Sequence, residues 1–136
     1  MQISTRGRYA VMAMAELARR DGAAPITLTD IAASRGLSQC YLEQLFGGLR
    51  RAGLVVSARG AGGGYRLSRP APEITVAAIV EAVDEVLVPT GALPPSGCCT
   101  HPLWAELGRR IQGFLGGVTL DDVVARRVGA APLLDA

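Results

Sequence analysis

A glycine-rich turn between two short apolar runs is the feature that most constrains this fold. The turn reads Arg59-Gly60-Ala61-Gly62-Gly63-Gly64-Tyr65 and separates strand candidates at residues 54–58 and 65–68. Glycine-containing turns between such runs are typical of a β-hairpin. Because two short helical segments precede it, the stretch 27–67 predicts a winged helix-turn-helix, a mainly α fold with a small β-hairpin wing.

The first two helices are marked by their apolar spacing and by their ends. A first helix is expected from about Thr5 to Arg20. A second begins at Thr27, where Asp30 three residues later resembles a capping box, and Arg35-Gly36 ends it. The apolar face of the first helix comprises Ala10, Val11, Met14, Leu17 and Ala18.

The third helix has two chemically different faces. Ser38 occupies the N-cap position and Gly53 ends the helix. The apolar stripe at i, i+3, i+4 and i+7, which we expect to be buried, comprises Leu42, Leu45, Phe46 and Leu49. The opposite side, which would face solvent or a ligand, carries Gln39, Cys40, Glu43, Gln44, Gly47 and Arg50.

Charge changes sign along the chain. Residues 1–70 hold ten Arg against four acidic residues, a net charge of +6, whereas residues 71–136 hold four Arg against eight acidic residues, a net charge of −4. A basic front half suits a DNA-binding module joined to a part with another role. We therefore predict a DNA-binding domain at residues 1–70, a linker at 69–72, and a second region at 71–136.

The second region is expected to be helical and to contain a loop. Thr75 should begin a helix through Val83, and the proline- and glycine-rich stretch 89–97 reads as an exposed loop. Thr100 should start another helix, and Thr119 a last one with a capping-box pattern. The apolar face of the helix after Thr100 comprises Leu103, Trp104, Leu107, Ile111, Phe114 and Leu115.

The polar side chains of the third helix suit recognition of base edges in the major groove. Gln44 can pair bidentately with adenine, and Glu43 can accept from cytosine while penalising sequences without a donor. Arg59 suits a narrow minor groove, and Gly60 and Gly62 let the backbone approach the sugar-phosphate wall. The predicted DNA contacts are Arg6, Arg8, Ser38, Gln39, Cys40, Tyr41, Glu43, Gln44, Arg50, Arg59, Gly60 and Gly62.

Other classes of function have weaker support. The chain has one histidine, no nucleophile elbow and no cofactor fingerprint, so we expect no enzyme and no small-molecule substrate. The glycine turn lacks the Lys-Ser/Thr of a phosphate-binding loop. A protein-interaction module using the winged fold is the remaining alternative. No apolar run approaches the roughly 20 residues of a membrane helix, and no signal peptide is evident, so a cytoplasmic location without membrane association is expected.

Several motifs occur in order along nearly the whole chain. They are Arg6-Gly7-Arg8-Tyr9-Ala10-Val11, Tyr41-Leu42-Glu43-Gln44-Leu45-Phe46, Arg59-Gly60-x-Gly62-Gly63-Gly64-Tyr65, Ala82-Val83-Asp84-Glu85 and His101-x-Leu103-Trp104. Together they resemble the IscR-like family of winged helix-turn-helix transcription regulators, which also contains the nitric-oxide sensor NsrR. The resemblance implies a homodimer, held by C-terminal helices, that binds inverted-repeat operators in double-stranded DNA. It also implies a role in iron–sulfur cluster biogenesis or iron homeostasis.

The same resemblance implies a sensing loop at about residues 86–101. Family members that sense iron–sulfur status carry three cysteines and one histidine there. This chain keeps Cys98 and His101 of that set, adds Cys99, and lacks the other two cysteines. An iron–sulfur cluster or iron held by Cys98, Cys99 and His101 is the implied cofactor, with a further ligand from water, Glu106 or the other subunit. The alternatives are a redox, thiol or nitric-oxide response without the usual cluster.

Overall fold

The computed structural model describes residues 5–20, 25–59, 63–84 and 97–129 of the 136-residue chain. Within these ranges the chain forms six α-helices, one two-stranded antiparallel sheet and one 3-10 turn, so the predicted fold class is confirmed. In chain order they are α1 (Thr5–Arg19), α2 (Leu28–Arg35), α3 (Gln39–Arg51), β1 (Val55–Ala58), β2 (Gly64–Leu67), the 3-10 turn (Ala71–Glu73), α4 (Val76–Asp84), α5 (His101–Gly116) and α6 (Leu120–Val124).

The helix-turn-helix is defined by local capping interactions. The Thr27 hydroxyl accepts a hydrogen bond from the Asp30 amide at 3.1 Å and starts α2. Gly36 ends α2 with φ +66°, a left-handed conformation that glycine adopts without steric cost. Two residues later the Ser38 hydroxyl accepts from the Tyr41 amide at 3.3 Å and starts α3. The predicted N-caps of both helices are confirmed.

The wing hairpin is attached to the helix-turn-helix through Ile26, the residue before the N-cap of α2. Val55 pairs with Leu67 and Ala58 with Gly64 in the antiparallel register of β1 and β2. Ile26 bridges the other side of Tyr65 through two backbone hydrogen bonds of 2.9 and 2.8 Å. The wing is therefore fixed relative to the start of α2.

One hydrophobic core joins both halves of the chain. Residues of α1, α2, α3, β1 and β2 share this core with Ile74, Ile79 and Val83 around α4, and with Leu120 of α6. The Leu120 amide donates to the Ile74 carbonyl at 2.7 Å, and the Val76 amide donates to the Val118 carbonyl at 2.9 Å. The division predicted at residue 70 therefore concerns the proposed roles of the two regions. It does not divide the chain into two parts with separate cores.

Element boundaries differ from the predicted ones by about one residue. α1 ends at Arg19 instead of Arg20, β1 begins at Val55 instead of residue 54, and β2 covers 64–67 instead of 65–68. Helix ends fray, and such differences are typical of boundary assignment. The region predicted as a linker overlaps the start of the 3-10 turn, and only Gly97 of the predicted loop at 89–97 lies within the described residues.

Helix α5 is buried on one side only. Leu115 is buried against Val76, Ala77 and Val80 of α4. The rest of the predicted apolar face stays largely open, with Leu103 60% and Phe114 54% exposed. Within the described ranges no helix has both the length and the apolar character to span a bilayer.

Candidate nucleic-acid interface and sensing loop

The two faces of α3 are separated as the sequence predicts. Side chains of the apolar stripe are fully buried, namely Leu42, Leu45, Phe46 and Leu49. On the opposite face the polar residues are exposed, namely Gln39, Cys40, Glu43 and Gln44. These four side chains take no part in the hydrophobic core, so they are accessible to a ligand.

Tyr41 contributes to the structure of this surface. Its side chain is half-buried, and its ring meets that of Tyr9 edge-on with centroids 5.8 Å apart. This contact holds the N-terminal part of α1 beside the first turn of α3. Arg8, which precedes Tyr9, is therefore near the start of the candidate reading helix, and its side chain is exposed.

The predicted phosphate-contacting arginines are all exposed. Arg6 and Arg8 lie on α1, and Arg50 lies in the last turn of α3. Arg59 directly follows β1 at the hairpin end, whereas Gly60 and Gly62 lie outside the described residues. Arg66 is an additional exposed basic residue on β2, which the sequence analysis missed although strand alternation with buried Leu67 places it on the outer side.

A contact between α2 and α3 was also missed. The Thr29 hydroxyl donates to Gln39 Oε1 at 3.2 Å, and both residues are exposed. Thr29 belongs to the first turn of α2 and Gln39 to the first turn of α3. Sequence alone gives no signal for this pair, because the two residues are ten positions apart and meet only through the turn.

Glu16 of α1 joins the first two helices by electrostatic contacts. It is 2% exposed, and its carboxylate accepts from Arg35 of α2 at 2.8 Å and from Ser34 at 3.3 Å. Arg19 and Arg20 also lie within salt-bridge distance of it. Burial acts to raise the pKa of Glu16, but the hydrogen bond and positive charge of Arg35, with the charges of Arg20 and Arg19, lower it overall.

The predicted sensing residues lie at the start of α5. Cys98 is half-buried and Cys99 is exposed. Cys98 Sγ lies 3.2 Å from the Thr100 hydroxyl, and the Cys98 carbonyl accepts from the His101 amide at 3.1 Å. Hydrogen bonding from Thr100, first through its side chain and then through its backbone, lowers the pKa of the Cys98 thiol.

These residues do not fit a complete metal site by themselves. Nowhere in the described ranges do three His, Cys, Asp or Glu side chains form a group that could hold a metal ion. Glu106, the candidate further ligand, is engaged with Arg109 and Arg110 of the same helix. Stable clusters and tetrahedral metal sites normally use four ligands. In addition, residues 85–96 contain no cysteine or histidine.

Comparisons with known proteins agree with the geometry of the helix-turn-helix. The family model Rrf2, described as iron-dependent transcriptional regulator, matches residues 3–126. The HTH-type transcriptional regulator IscR of Serratia proteamaculans (strain 568) is 45% identical over 130 residues, which are 91% of this chain and 79% of that protein. The IscR of Escherichia coli O1:K1 / APEC is 44% identical over 130 residues, covering 91% of this chain and 80% of that protein.

Solved structures show the same fold at clear sequence identity. CymR (YrzC), the global cysteine regulator of B. subtilis, superimposes with a TM-score of 0.84 at 37% identity, covering 93% of this chain and 98% of that chain. T. potens IscR gives a TM-score of 0.80 at 38% identity over 97% of this chain and 92% of that chain. The chain therefore belongs to the Rrf2 family of transcriptional regulators and is a DNA-binding regulator of the IscR type.

Proposed function

We propose that α3 and the wing form the surface that reads an operator. The observation that carries the proposal is the exposed polar face formed by Gln39, Cys40, Glu43 and Gln44, directly opposite fully buried apolar residues on the same helix. An α-helix fits the major groove, where each base pair shows a distinct pattern of donors and acceptors. Arg59 at the end of β1 would then enter the adjacent minor groove.

Different side chains have different tasks in this arrangement. Gln44 would pair with adenine, and Glu43 would act as a filter, because its carboxylate accepts from cytosine but is repelled by phosphate. Arg6, Arg8 and Arg50 would contact phosphates, which fix the register without reading sequence. Ser38, Cys40 and Tyr41 would contact the DNA from the start of the helix, and Gly60 and Gly62 would allow a close backbone approach.

The test uses a pool of random DNA duplexes and the purified full chain. Sequences enriched by binding should be bound more weakly by Arg59→Ala, and the slope of log affinity against log salt concentration should fall by about one. Arg127→Ala is the matched control, because Arg127 lies beyond α6 and is already paired with Asp122. Equal affinities for wild type and Arg59→Ala would remove Arg59 from the interface.

Glu43 requires a separate measurement because its proposed effect is on selectivity. Glu43→Ala should broaden the range of enriched sequences, with affinity for the preferred sequence changed little. A uniform loss of affinity for all sequences would contradict the role of a filter. Because the Glu43 side chain is exposed, its replacement should leave the fold intact, and a folding defect would explain neither result.

We further propose that the functional unit is a homodimer formed through α5. Beside the part of its apolar face that packs on α4, helix α5 carries exposed apolar residues, namely Leu103, Trp104, Leu107 and Phe114. Contiguous exposed apolar surface of this kind marks an interaction site. A two-fold dimer would present two copies of α3 to an inverted-repeat operator, since operator symmetry mirrors protein symmetry.

An iron–sulfur cluster at Cys98, Cys99 and His101 remains a proposal that needs at least one ligand from outside this group. The family description and the IscR relatives support it. Iron and sulfide analysis with an absorption spectrum of anaerobically purified protein tests it. Cys98→Ala should remove bound iron, and Cys40→Ala, an exposed cysteine on α3, should retain it. A colourless, iron-free wild-type protein would reject the cluster.

The regulated genes are proposed to serve iron–sulfur cluster biogenesis or iron homeostasis. This proposal follows from relatives named IscR, and it fits the protein's assignment as a transcription regulator. A regulator that binds DNA works in the compartment that holds the DNA, which supports the predicted cytoplasmic location. Transcript levels in cells lacking the protein, with and without iron limitation, would test the assignment.

A further inference from the structure

Gln39 is held in one orientation by a neighbour on the preceding helix. The Thr29 hydroxyl donates to Gln39 Oε1 at 3.2 Å. Both side chains lie on the exposed surface, so neither is buried in the core by this contact. A carboxamide carries its oxygen and its NH2 group on opposite sides of the same carbon. Because the oxygen is turned toward α2, the NH2 group is the end that points away from α2.

We propose that Thr29 is a positioning residue that makes Gln39 a donor-only reader of the major groove. The inference rests on the proposed contact between α3 and DNA. A glutamine that is free to rotate can present either an acceptor or a donor, and it can pair bidentately with adenine. With its oxygen held by Thr29, Gln39 offers Nε2 to the bases instead.

Base edges differ in how they meet an outward NH2 group. Guanine presents N7 and O6 acceptors, thymine presents O4, and adenine presents N7, whereas cytosine presents only its N4 donor group. Two donors facing each other repel and leave both groups unsatisfied. The Thr29–Gln39 pair therefore disfavours cytosine on the strand that Gln39 faces and tolerates the other three bases.

Pre-organisation gives the pair a second effect. A free glutamine side chain loses rotamer freedom when it binds, which opposes binding. The hydrogen bond to Thr29 removes part of that freedom before DNA arrives. Among the described residues, the side chains of Glu43 and Gln44, which lie one turn further along α3, make no hydrogen bond of this kind and can adjust to the base that they meet.

The experiment compares sequences enriched from a random duplex pool by five forms of the full chain. Wild type should deplete cytosine at one position of each half-site. Thr29→Val keeps the shape of the side chain but removes the hydroxyl, and it should reduce this depletion by about twofold to tenfold, the effect of one hydrogen bond. Thr29→Ser, which restores a hydroxyl, should behave like wild type.

Gln39→Ala separates positioning from a general structural role. It should remove the cytosine depletion completely, and adding Thr29→Val to it should cause no further change in base preference. A merely structural role of Thr29 would lower affinity on all sequences without altering preference at that position. Unchanged depletion in Thr29→Val would overturn the inference while leaving DNA binding intact. Failure of wild type to enrich any sequence would overturn both proposals together.

Discussion

At the residue scale, Glu16 is a buried charged group that connects α1 to α2. Its carboxylate accepts from Arg35 at 2.8 Å and from Ser34 at 3.3 Å, although the side chain is only 2% exposed. Burying a carboxylate is costly unless hydrogen bonds and positive charge compensate for the lost hydration. Because Arg35 directly precedes Gly36, this contact also fixes the turn that leads into α3.

Replacing Glu16 by Gln should lower the free energy of unfolding by about 1–3 kcal/mol at neutral pH, since hydrogen bonds to a charged group are lost. Urea unfolding of the full chain measures this change. The matched control is Glu106→Gln, because Glu106 also pairs with two arginines but lies exposed on α5. Exposed ion pairs contribute little, so the control should change stability by less than about 1 kcal/mol.

The contribution of Glu16 should also depend on pH. Its pKa in the folded chain lies below the ordinary value of 4.5, whereas unfolding returns it to that value. The stabilisation is therefore fully present above about pH 4.5 and is lost as the pH falls through the folded-state pKa. The difference in unfolding free energy between wild type and Glu16→Gln should shrink on acidification from pH 7 to 3. A constant difference would show that charge is not the cause.

At the element scale, two adjacent glycines of α3 have opposite surroundings. A Cβ built on Gly48 would lie 2.8 Å from the Ala82 carbonyl oxygen, so α3 and α4 approach each other closely at this point. A Cβ on Gly47 would meet only the end of the Arg51 side chain at 3.5 Å, an ordinary contact. The position of α4 against α3 therefore depends on the absence of a side chain at Gly48.

Alanine at these two positions should change stability in opposite directions. Gly48→Ala should destabilise the protein by about 1–3 kcal/mol, because the added methyl group overpacks a backbone contact. Gly47→Ala, its neighbour in the same helix, should stabilise by up to about 1 kcal/mol, because alanine has the higher helix propensity. Thermal unfolding of both variants checks the pair. Equal effects would mean that helix propensity alone governs this segment.

The wing gives a second prediction at this scale. Gly64 has φ +148°, and a Cβ there would lie 2.4 Å from the Ile26 carbonyl oxygen, inside the bridge that ties the hairpin to α2. Gly64→Ala should detach Ile26 from Tyr65. Hydrogen exchange measured by NMR should then be faster at the amides of Ile26 and Tyr65, with Gly47→Ala as the control. Unaltered protection of these amides would contradict the close approach of Gly64 to Ile26.

At the scale of the whole molecule, the open side of α5 predicts the oligomeric state. Phe114→Asp places a charge among exposed apolar residues and should convert the proposed dimer into a 14.1 kDa monomer. Sedimentation measures the mass directly. Val56→Asp is the control, since Val56 is 45% exposed on the wing and away from α5. A dimer that survives Phe114→Asp, or a monomeric wild type, would rule out this interface.

Local signals in the sequence determined the elements and their faces. Periodic apolar residues predicted the buried stripe of α3, and Thr27, Ser38 and Thr119 marked helix starts that the structure confirms. Such signals succeed because a cap or an amphipathic face depends on residues three or four positions apart. The exposure of Gln44 follows from the same periodicity.

Only the tertiary structure decided how the elements meet. Ile74 and Leu120 enter the same core as α1, although charge and proline content had indicated a division near residue 70. Contacts such as Glu16 with Arg35 or Thr29 with Gln39 join separate helices. Their existence depends on the angle and distance at which packed helices cross, and these are set by the shapes of all the side chains between them. No spacing along the chain encodes that geometry.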